Sequence, residues 1–383
     1  MRVNLVSLRS SGAAMALALV AALCAAAQQP AAVRTAEQQF KNIQVLKGVP
    51  ANEVVPAMHV IEKSLGVDCE FCHVADRSKD DMPPKETARK MIAMVLDLNK
   101  NSLFAGRTQV TCFTCHHGNA DPVTVPPLPQ GEAMMAVALE PPATAPSLPA
   151  VDQVLAKYVQ ALGGEQALRK VTSRLITGTW ELPTGPGGNT PVPAQLERYE
   201  KAPNLTMSIN RAAKFMTEQG FDGTSAWLED AMGVVTDAPA IDQGHLKRNA
   251  DLYESLDLKQ QFARLAVTGL EKVNGHDANV VLGTPEGDKP ERFFFDTQTG
   301  LLLREEILVS TPIGDNPIAV EYDDYRDTGS GVKFPFVIRS IPGAPYTLYS
   351  LFSHSTIRVQ KVQDNVVVDV AKFAKPQSKP AGQ

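Results

Sequence analysis

The chain has 383 residues with 37 Lys and Arg against 42 Asp and Glu, a net charge of −5. The charges are interspersed, and no long basic run or basic stripe alternates with aromatics, so nucleic acid is excluded as a partner class. The length suffices for two domains of ordinary size, and no apolar stretch beyond the first residues is long enough to span a bilayer.

Residues 1–27 read as a secretory signal peptide: Arg2 and Arg9 lead, an apolar run follows, and Ala25-Ala26-Ala27 offers a small-residue cleavage site. An uncleaved anchor helix and a lipidated Cys24 are the alternatives. Leu23, in front of that cysteine, is larger than a lipoprotein site wants. The expected location is the periplasm or outside the cell, with association at a membrane surface left open.

Residues 33–124 read as helix-rich. Asn52 is the expected cap of a helix with Pro56 in its first turn and an apolar face of Val54, Met58, Ile61 and Leu65. Gly66 would end it, and Asp68 would cap the next helix. Pro83-Pro84 precede a helix over 85–99 whose face holds Ala88, Met91, Val95 and Leu98. Thr111 is the expected cap of a last short helix, with Gly118 at its end.

Two of these helices carry the same motif, Cys69-Glu70-Phe71-Cys72-His73 and Cys112-Phe113-Thr114-Cys115-His116. Cys-x-x-Cys-His is the attachment signature of c-type haem. The thiols add across the vinyl groups, and the histidine binds the iron. On a helix, positions i, i+3 and i+4 share a face, so all three groups can meet one flat macrocycle. The bland reading is a zinc or thiol-redox pair beside a chance histidine. Against it, four of the five cysteines lie in the two motifs and only Cys24 lies elsewhere. Two covalently bound haem c groups are therefore expected, with His73 and His116 as proximal ligands. Met58 lies within reach of the far side of the first haem, with core packing the alternative for any single methionine on an apolar face. For the second, periodicity leaves both Met91 and Met94 open. His59 and His117 point away from their neighbouring ligand positions and are expected at the surface or a haem edge. Arg89-Lys90, Arg34, Lys41 and Lys47 are candidate propionate partners.

Residues 38–127 resemble one two-haem half of the photosynthetic reaction centre cytochrome c subunit. Val55-Pro56-Ala57-Met58-His59-Val60-Ile61 is similar to that family's first methionine helix. Ala88-Arg89-Lys90-Met91-Ile92-Ala93-Met94 is similar to its second, and Val110–Gly118 to its second haem motif. The resemblance implies Met58 and Met91 as axial ligands. It also implies one-electron transfer to an oxidised pigment centre. A respiratory carrier fits the same module. The family's other two haems have no counterpart in this chain. Haem catalysis such as peroxide reduction would need an open sixth position, and Met58 and Met91 argue against it.

Residues 125–149 form a proline-rich linker, which favours extended chain and predicts that the two sides fold separately. Residues 150–376 are expected as a β-rich (α+β) domain. A helix over 151–171, broken at Gly163-Gly164, leads into strands at 174–182, 195–200, 205–210, 214–219, 293–296, 301–309, 318–325, 334–340 and 356–363. Turns are expected at Asp296–Gly300 and Asp327–Gly331. The fold expected for the whole is an α-helical dihaem cytochrome followed by an antiparallel curved sheet or half-barrel. Gly220-Phe221-Asp222-Gly223, Tyr322–Tyr325 and Val370–Pro376 are similar to carrier domains of the LolA/LolB kind. That implies an apolar ligand in a concave face, and a lipid or quinone carrier with haem redox sensors as a further reading. Trp180 and Trp227 are expected in the core or on a cavity wall. His245, His276 and His354 are scattered, and no catalytic constellation is expected. Residues 377–383 read as a disordered tail.

Overall fold

The computed structural model describes residues 34–102, 104, 109–122, 148–182, 192–213, 215–229, 233–238, 243–341 and 355–376. The expected signal peptide with Cys24, most of the expected linker, His354 and the expected tail lie outside the described residues.

The N-terminal region is built from short helices: α1 (Ala36–Gln39), α2 (Val54–Leu65), α3 (Pro83–Asn99) and α4 (Phe113–His116), with 3-10 turns at Ala51–Glu53 and Cys69–Phe71. Asn52 lies inside the first of these turns instead of capping α2, and its side-chain oxygen is buried without a partner. Prolines open α3, where a missing N–H costs nothing. Gly66 ends α2 with φ +66, and a Cβ there would lie 2.2 Å from the Gly118 carbonyl oxygen. Only glycine permits that approach. The Gly118 N–H also donates to the Ser64 carbonyl at 2.8 Å, so the end of the second motif is stitched to the end of α2.

The buried face of α3 differs from the expected one. Lys85, Arg89, Ile92 and Val95 point inward, while Met91, Met94 and Leu98 are exposed. The aliphatic stems of Lys85 and Arg89 can be buried because their charged heads find partners. Lys85 Nζ donates to the Arg77 carbonyl at 2.9 Å, and Arg89 donates to Asp80 Oδ1 at 2.8 Å.

In the C-terminal region α5 (Val151–Ala161) and α6 (Glu165–Lys170) precede β1 (Ser173–Leu182). Gly163 and Gly164 part these helices with positive φ, and a Cβ on Gly163 would strike the Gly331 carbonyl at 2.1 Å. The strands β2 (Val192–Lys201), β3 (Leu205–Ala212), β4 (Phe215–Phe221), β5 (Ala226–Glu229) and β6 (Val235–Asp237) follow as a meander. Helices α7 (Gln243–Asn249) and α8 (Glu254–Gln261) then carry the chain to the opposite edge. There β7 (Arg264–Val273), β8 (His276–Thr284), β9 (Glu291–Asp296), β10 (Leu302–Thr311), β11 (Gly314–Asp327), β12 (Lys333–Ile341) and β13 (Ser355–Asp364) return to the middle. The result is one 13-stranded antiparallel sheet, ordered β6-β5-β4-β3-β2-β1-β13-β12-β11-β10-β9-β8-β7. Among the described residues its only non-sequential pairing is β1 with β13, in register from Arg174↔Asp364.

Both expected turns form. Asp296 Oδ1 accepts from Gln298 and Thr299 N–H, and Asp327 Oδ1 accepts from Gly329 N–H at 2.6 Å. Helices α5 and α8 pack Val154, Leu155 and Leu258 on Phe293, Phe295 and Val281 of the sheet. Trp180 and Trp227 are both buried, and Trp227 Nε1 donates to the Phe373 carbonyl at 3.3 Å.

The two regions touch. The turn of the β10–β11 hairpin enters the N-terminal core, where Ile313 is fully buried against Leu46, Ala57, Val60, Ile61, Ile92 and Cys112. Burying an isoleucine contributes about 1.5–3 kcal/mol. Lys63 Nζ donates to the Pro317 carbonyl at 2.9 Å, and burial holds its pKa down to about 8. The proline-rich linker therefore joins regions that share a buried contact.

Candidate functional site

The first motif opens onto a cavity of about 660 Å³ whose wall includes Met58, Cys69, Cys72 and His73. Met58 comes from α2, which reverses at Gly66. Asp68 then caps the 3-10 turn, its carboxylate accepting from Phe71 N–H at 3.2 Å, and His73 N–H closes onto the Cys69 carbonyl at 3.0 Å. The motif's one tight turn thus presents both thiols and the imidazole to the same space. Val54, Ile61, Leu46 and Ile92 line the rest, with Arg77, Lys85 and Arg89 at the polar side. His59 also lines this cavity and is buried, with Nδ1 2.8 Å from Glu62 Oε2, so of its two expected placements it takes the one beside the cavity and not the surface. Arg89 is committed to Asp80, and that pair holds the Asp80 carboxyl well below the usual carboxylate range.

This donor set fits a covalently held haem. Burial, reinforced by the Arg77 and Lys85 charges, lowers the His73 pKa to about 4 and leaves a neutral imidazole with a lone pair to give. Its Nδ1 is buried with no hydrogen-bond partner among the described residues. Burial also raises both thiol pKa values, so Cys69 and Cys72 stay protonated until they react.

The second motif is built differently. Helix α4 starts one residue later than expected, with Cys112 at its cap. Thr111 contributes through its backbone, its N–H donating to Thr114 Oγ1 at 3.0 Å. Asn99 at the end of α3 clamps the approach, donating to the Val110 carbonyl and accepting from its N–H, both at 2.8 Å. Cys112 is buried and Cys115 exposed. His116 is buried, and its Nδ1 lies 2.9 Å from the Asn119 carbonyl. A carbonyl only accepts, so Nδ1 is the donor in this bond, which leaves Nε2 as the ring nitrogen free to meet a metal. Met91 and Met94 are 36% and 47% exposed, and neither lines the 660 Å³ cavity. His117, in the left-handed region at φ +51, stacks edge-on against Phe113.

Residues 9–144 match the family described as the photosynthetic reaction centre cytochrome c subunit. The similar curated proteins include that subunit from Thermochromatium tepidum, 33% identical over 91 residues, which are 23% of this chain and 22% of the relative. The subunit from Rubrivivax gelatinosus is 31% identical over 90 residues, 23% of this chain and 25% of the relative. Cytochrome c-554 from Chloroflexus aurantiacus is 32% identical over 83 residues, 20% of each. The chain thus spans about a quarter or less of the length of the curated relatives it matches. Solved structures also align over more than half of this chain, at low identity. A DUF1329 family protein from Desulfovibrio piger aligns at TM-score 0.42 and 12% identity, over 58% of this chain and 97% of that one. A LolA superfamily protein from Nitrosomonas europaea aligns at TM-score 0.39 and 11% identity, over 59% and 98%. The cytochrome resemblance expected from the sequence recurs in the family and relatives matched.

A second cavity, of about 350 Å³, lies between the sheet and its helices. Ile176, Leu196, Phe293, Phe295 and Ile307 give it apolar walls, and Glu254, Glu305, Tyr158, Tyr322 and His245 give it polar ones. Burial, reinforced by Glu305 and Glu291, holds the Glu254 carboxyl well above the usual range. Burial raises Glu305 as well, against the opposing charge of His245, and Tyr322 donates to it at 3.0 Å. His245, Glu291 and Glu305 bring potential ligand atoms within 4.8 Å of one another. Sequence reasoning missed this cluster, which joins a helix to two strands. It is an ion-pair network and a poor metal site: Arg248 holds Glu291 and Asp288, and both His245 nitrogens are engaged, by Glu291 and Asn249.

Proposed function

We propose that the chain is an exported dihaem c-type cytochrome that transfers single electrons. The observation supporting this most directly is the convergence of Met58, Cys69, Cys72 and His73 on one largely apolar cavity. Cys69 and Cys72 tether the first haem, with His73 and Met58 axial. Cys112 and Cys115 tether the second, with His116 and Met91 axial. Haem held there supplies a one-electron iron couple. Around it the protein gives a neutral imidazole, a thioether and an apolar wall that keeps water away. Methionine–histidine ligation raises the potential, which suits exchange between moderately oxidising partners. The periplasmic face of a photosynthetic reaction centre is the partner that best fits the similarity of residues 9–144. A respiratory electron carrier has the same chemistry.

Denatured protein extracted with acid–acetone should retain its haem, and a pyridine haemochrome assay should count two per chain. Freely extractable haem, or a count of zero, would refute the reading.

The cavity in the sheet favours a second, compatible role. Its volume lies within the range of small-ligand sites, and an amphipathic molecule such as a lipid or quinone would meet both its apolar walls and its buried polar groups. Organic extraction of the purified full-length protein, followed by mass spectrometry, should recover such a molecule in stoichiometric amount. A clean extract would leave the sheet a docking and structural role.

A further inference from the structure

The β10–β11 hairpin has one end in the C-terminal cavity and the other in the cytochrome core. Glu305 and Ile307 on β10, and Val320 and Tyr322 on β11, line the cavity. Beyond them the paired strands run on through Leu308↔Pro317 and Val309↔Asn316 to the turn at Thr311↔Gly314. Thr311 Oγ1 donates to the Gly314 carbonyl at 2.5 Å and pins that turn. Ile313, at its tip, is 0% exposed and packs in the same cluster as Cys112 and the α2 residues Ala57, Val60 and Ile61. Gly314 has φ +139, and a Cβ there would lie 2.9 Å from Thr111 Cγ2 and 3.6 Å from Val60 Cγ1. The hairpin backbone thus reaches the residue preceding the second haem motif as closely as a glycine can.

Cys112 is the buried cysteine of that motif and Cys115 the exposed one. Its surroundings are therefore fixed from three sides: by α2, by Ile92 of α3, and by a residue more than 190 positions later in the chain. We infer that Ile313 and Gly314 are positioning residues for the second haem: they hold Thr111 and Cys112 in place, so the sheet region sets the orientation of that haem. The two regions then form one electron-transfer unit, not a cytochrome tethered to an independent carrier. The inference rests on the reading of Cys112, Cys115 and His116 as a haem attachment site. A haem's potential follows the burial and ligand geometry next to its iron, so a movement of Cys112 has an electrochemical consequence that a surface contact would lack.

The test uses the full-length, haem-loaded protein. Haem count, haem-peptide mapping and redox titration are compared for the unmutated chain, Ile313→Ala, Ile313→Val and Gly314→Ala. The titration is repeated with Cys69→Ser/Cys72→Ser, in which only the second haem is attached. Ile313→Ala and Gly314→Ala should shift the second haem's ferric-to-ferrous ratio by about tenfold, equal to about 59 mV for one electron. Ile313→Val, which keeps most of the side chain, should restore most of the original value. Loss of haem from the Cys112–Cys115 peptide alone would support the same conclusion. Unchanged potentials with both haems in place would overturn it. So would a change confined to the haem on Cys69 and Cys72, which would mean the hairpin acts on α2 alone. If Ile313→Ala fails to fold, Gly314→Ala decides the question. A haem count of zero in the unmutated chain would refute the haem reading itself.

Discussion

The two regions assemble their polar chemistry over different lengths of chain. In the N-terminal region Met58, Cys69, Cys72 and His73 meet at one cavity within a single helix–turn–turn segment. In the C-terminal region His245, Glu291 and Glu305 come from α7, β9 and β10, and Glu254 from α8. The first arrangement needs one reversal at Gly66, and two thioether bonds would lock it further. The second exists only once the sheet and its covering helices are complete. A short segment with covalent tethers should tolerate perturbation elsewhere in the chain, while a cluster collected from distant elements should respond to anything that loosens the sheet.

The sharpest way to break that contrast is to remove the tethers. Cys69→Ser/Cys72→Ser should lower the haem count from two to one and leave the sheet folded, as judged by its β-type circular dichroism. Loss of both haems together would show that the second site depends on the first. The stitch between Gly118 N–H and the Ser64 carbonyl gives a route for such dependence. Met58→Ala is the next largest change. It should abolish one methionine–iron charge-transfer band and lower one potential, with the haem still attached. Met91→Ala should do the same for the other band. If Met91→Ala leaves both bands and Met94→Ala removes one, the ligand lies one helical turn further on.

The C-terminal cluster makes its own demand on stability. Glu254 has its pKa raised by burial, then by Glu305 and Glu291. In the unfolded chain a glutamate ionises near about 4.3. Between that value and the higher folded one, the unfolded state has lost a proton that the folded state still holds. Stability therefore falls as pH rises through this window, and the penalty stays constant above it. Glu254→Gln should flatten the decline and stabilise the protein at neutral pH. Denaturant midpoints measured across the acidic to neutral range would show this. A steeper decline in the variant would mean that the ionised carboxylate is needed.

This difference in length also decides what was legible beforehand. The motifs, their histidines, Met58, Gly66 as a terminator, the break at Gly163-Gly164 and the turns at Asp296 and Asp327 are all local, and all can be read from neighbouring residues. The burial of α3 was not. Periodicity placed Met91 and Leu98 on the apolar face, but Lys85 and Arg89 are buried instead because Asp80 and the carbonyls of Arg77 and Lys79 satisfy them. Strands β5 and β6 are too short to show alternation, whereas β7 does alternate, Leu265 and Val267 packing on the core between exposed Arg264, Ala266 and Thr268, a local signal that the strand assignment missed. The insertion of Ile313 into a core assembled from residues 46–112 had no sequence signal. An isoleucine beside a glycine in a hairpin turn looks like any other.

The smallest expected effect is that of Met94→Ala, and it separates packing from ligation. On a helix face read as apolar, truncating a core methionine would cost about 2–5 kcal/mol. Met94 is 47% exposed, however, and absent from the buried cluster that holds Ile92. Its side chain has little surface to lose from contact, so the substitution should change stability by no more than about 0.5 kcal/mol, as at ordinary surface positions. Alanine is also the better helix former, which offsets part of any loss. A cost of several kcal/mol in the haem-loaded protein would mean that Met94 becomes buried when haem is attached. Paired with an unchanged charge-transfer band, that result would place Met94 against the macrocycle's face or edge and Met91 on the iron. Together with a lost band, it would make Met94 the ligand.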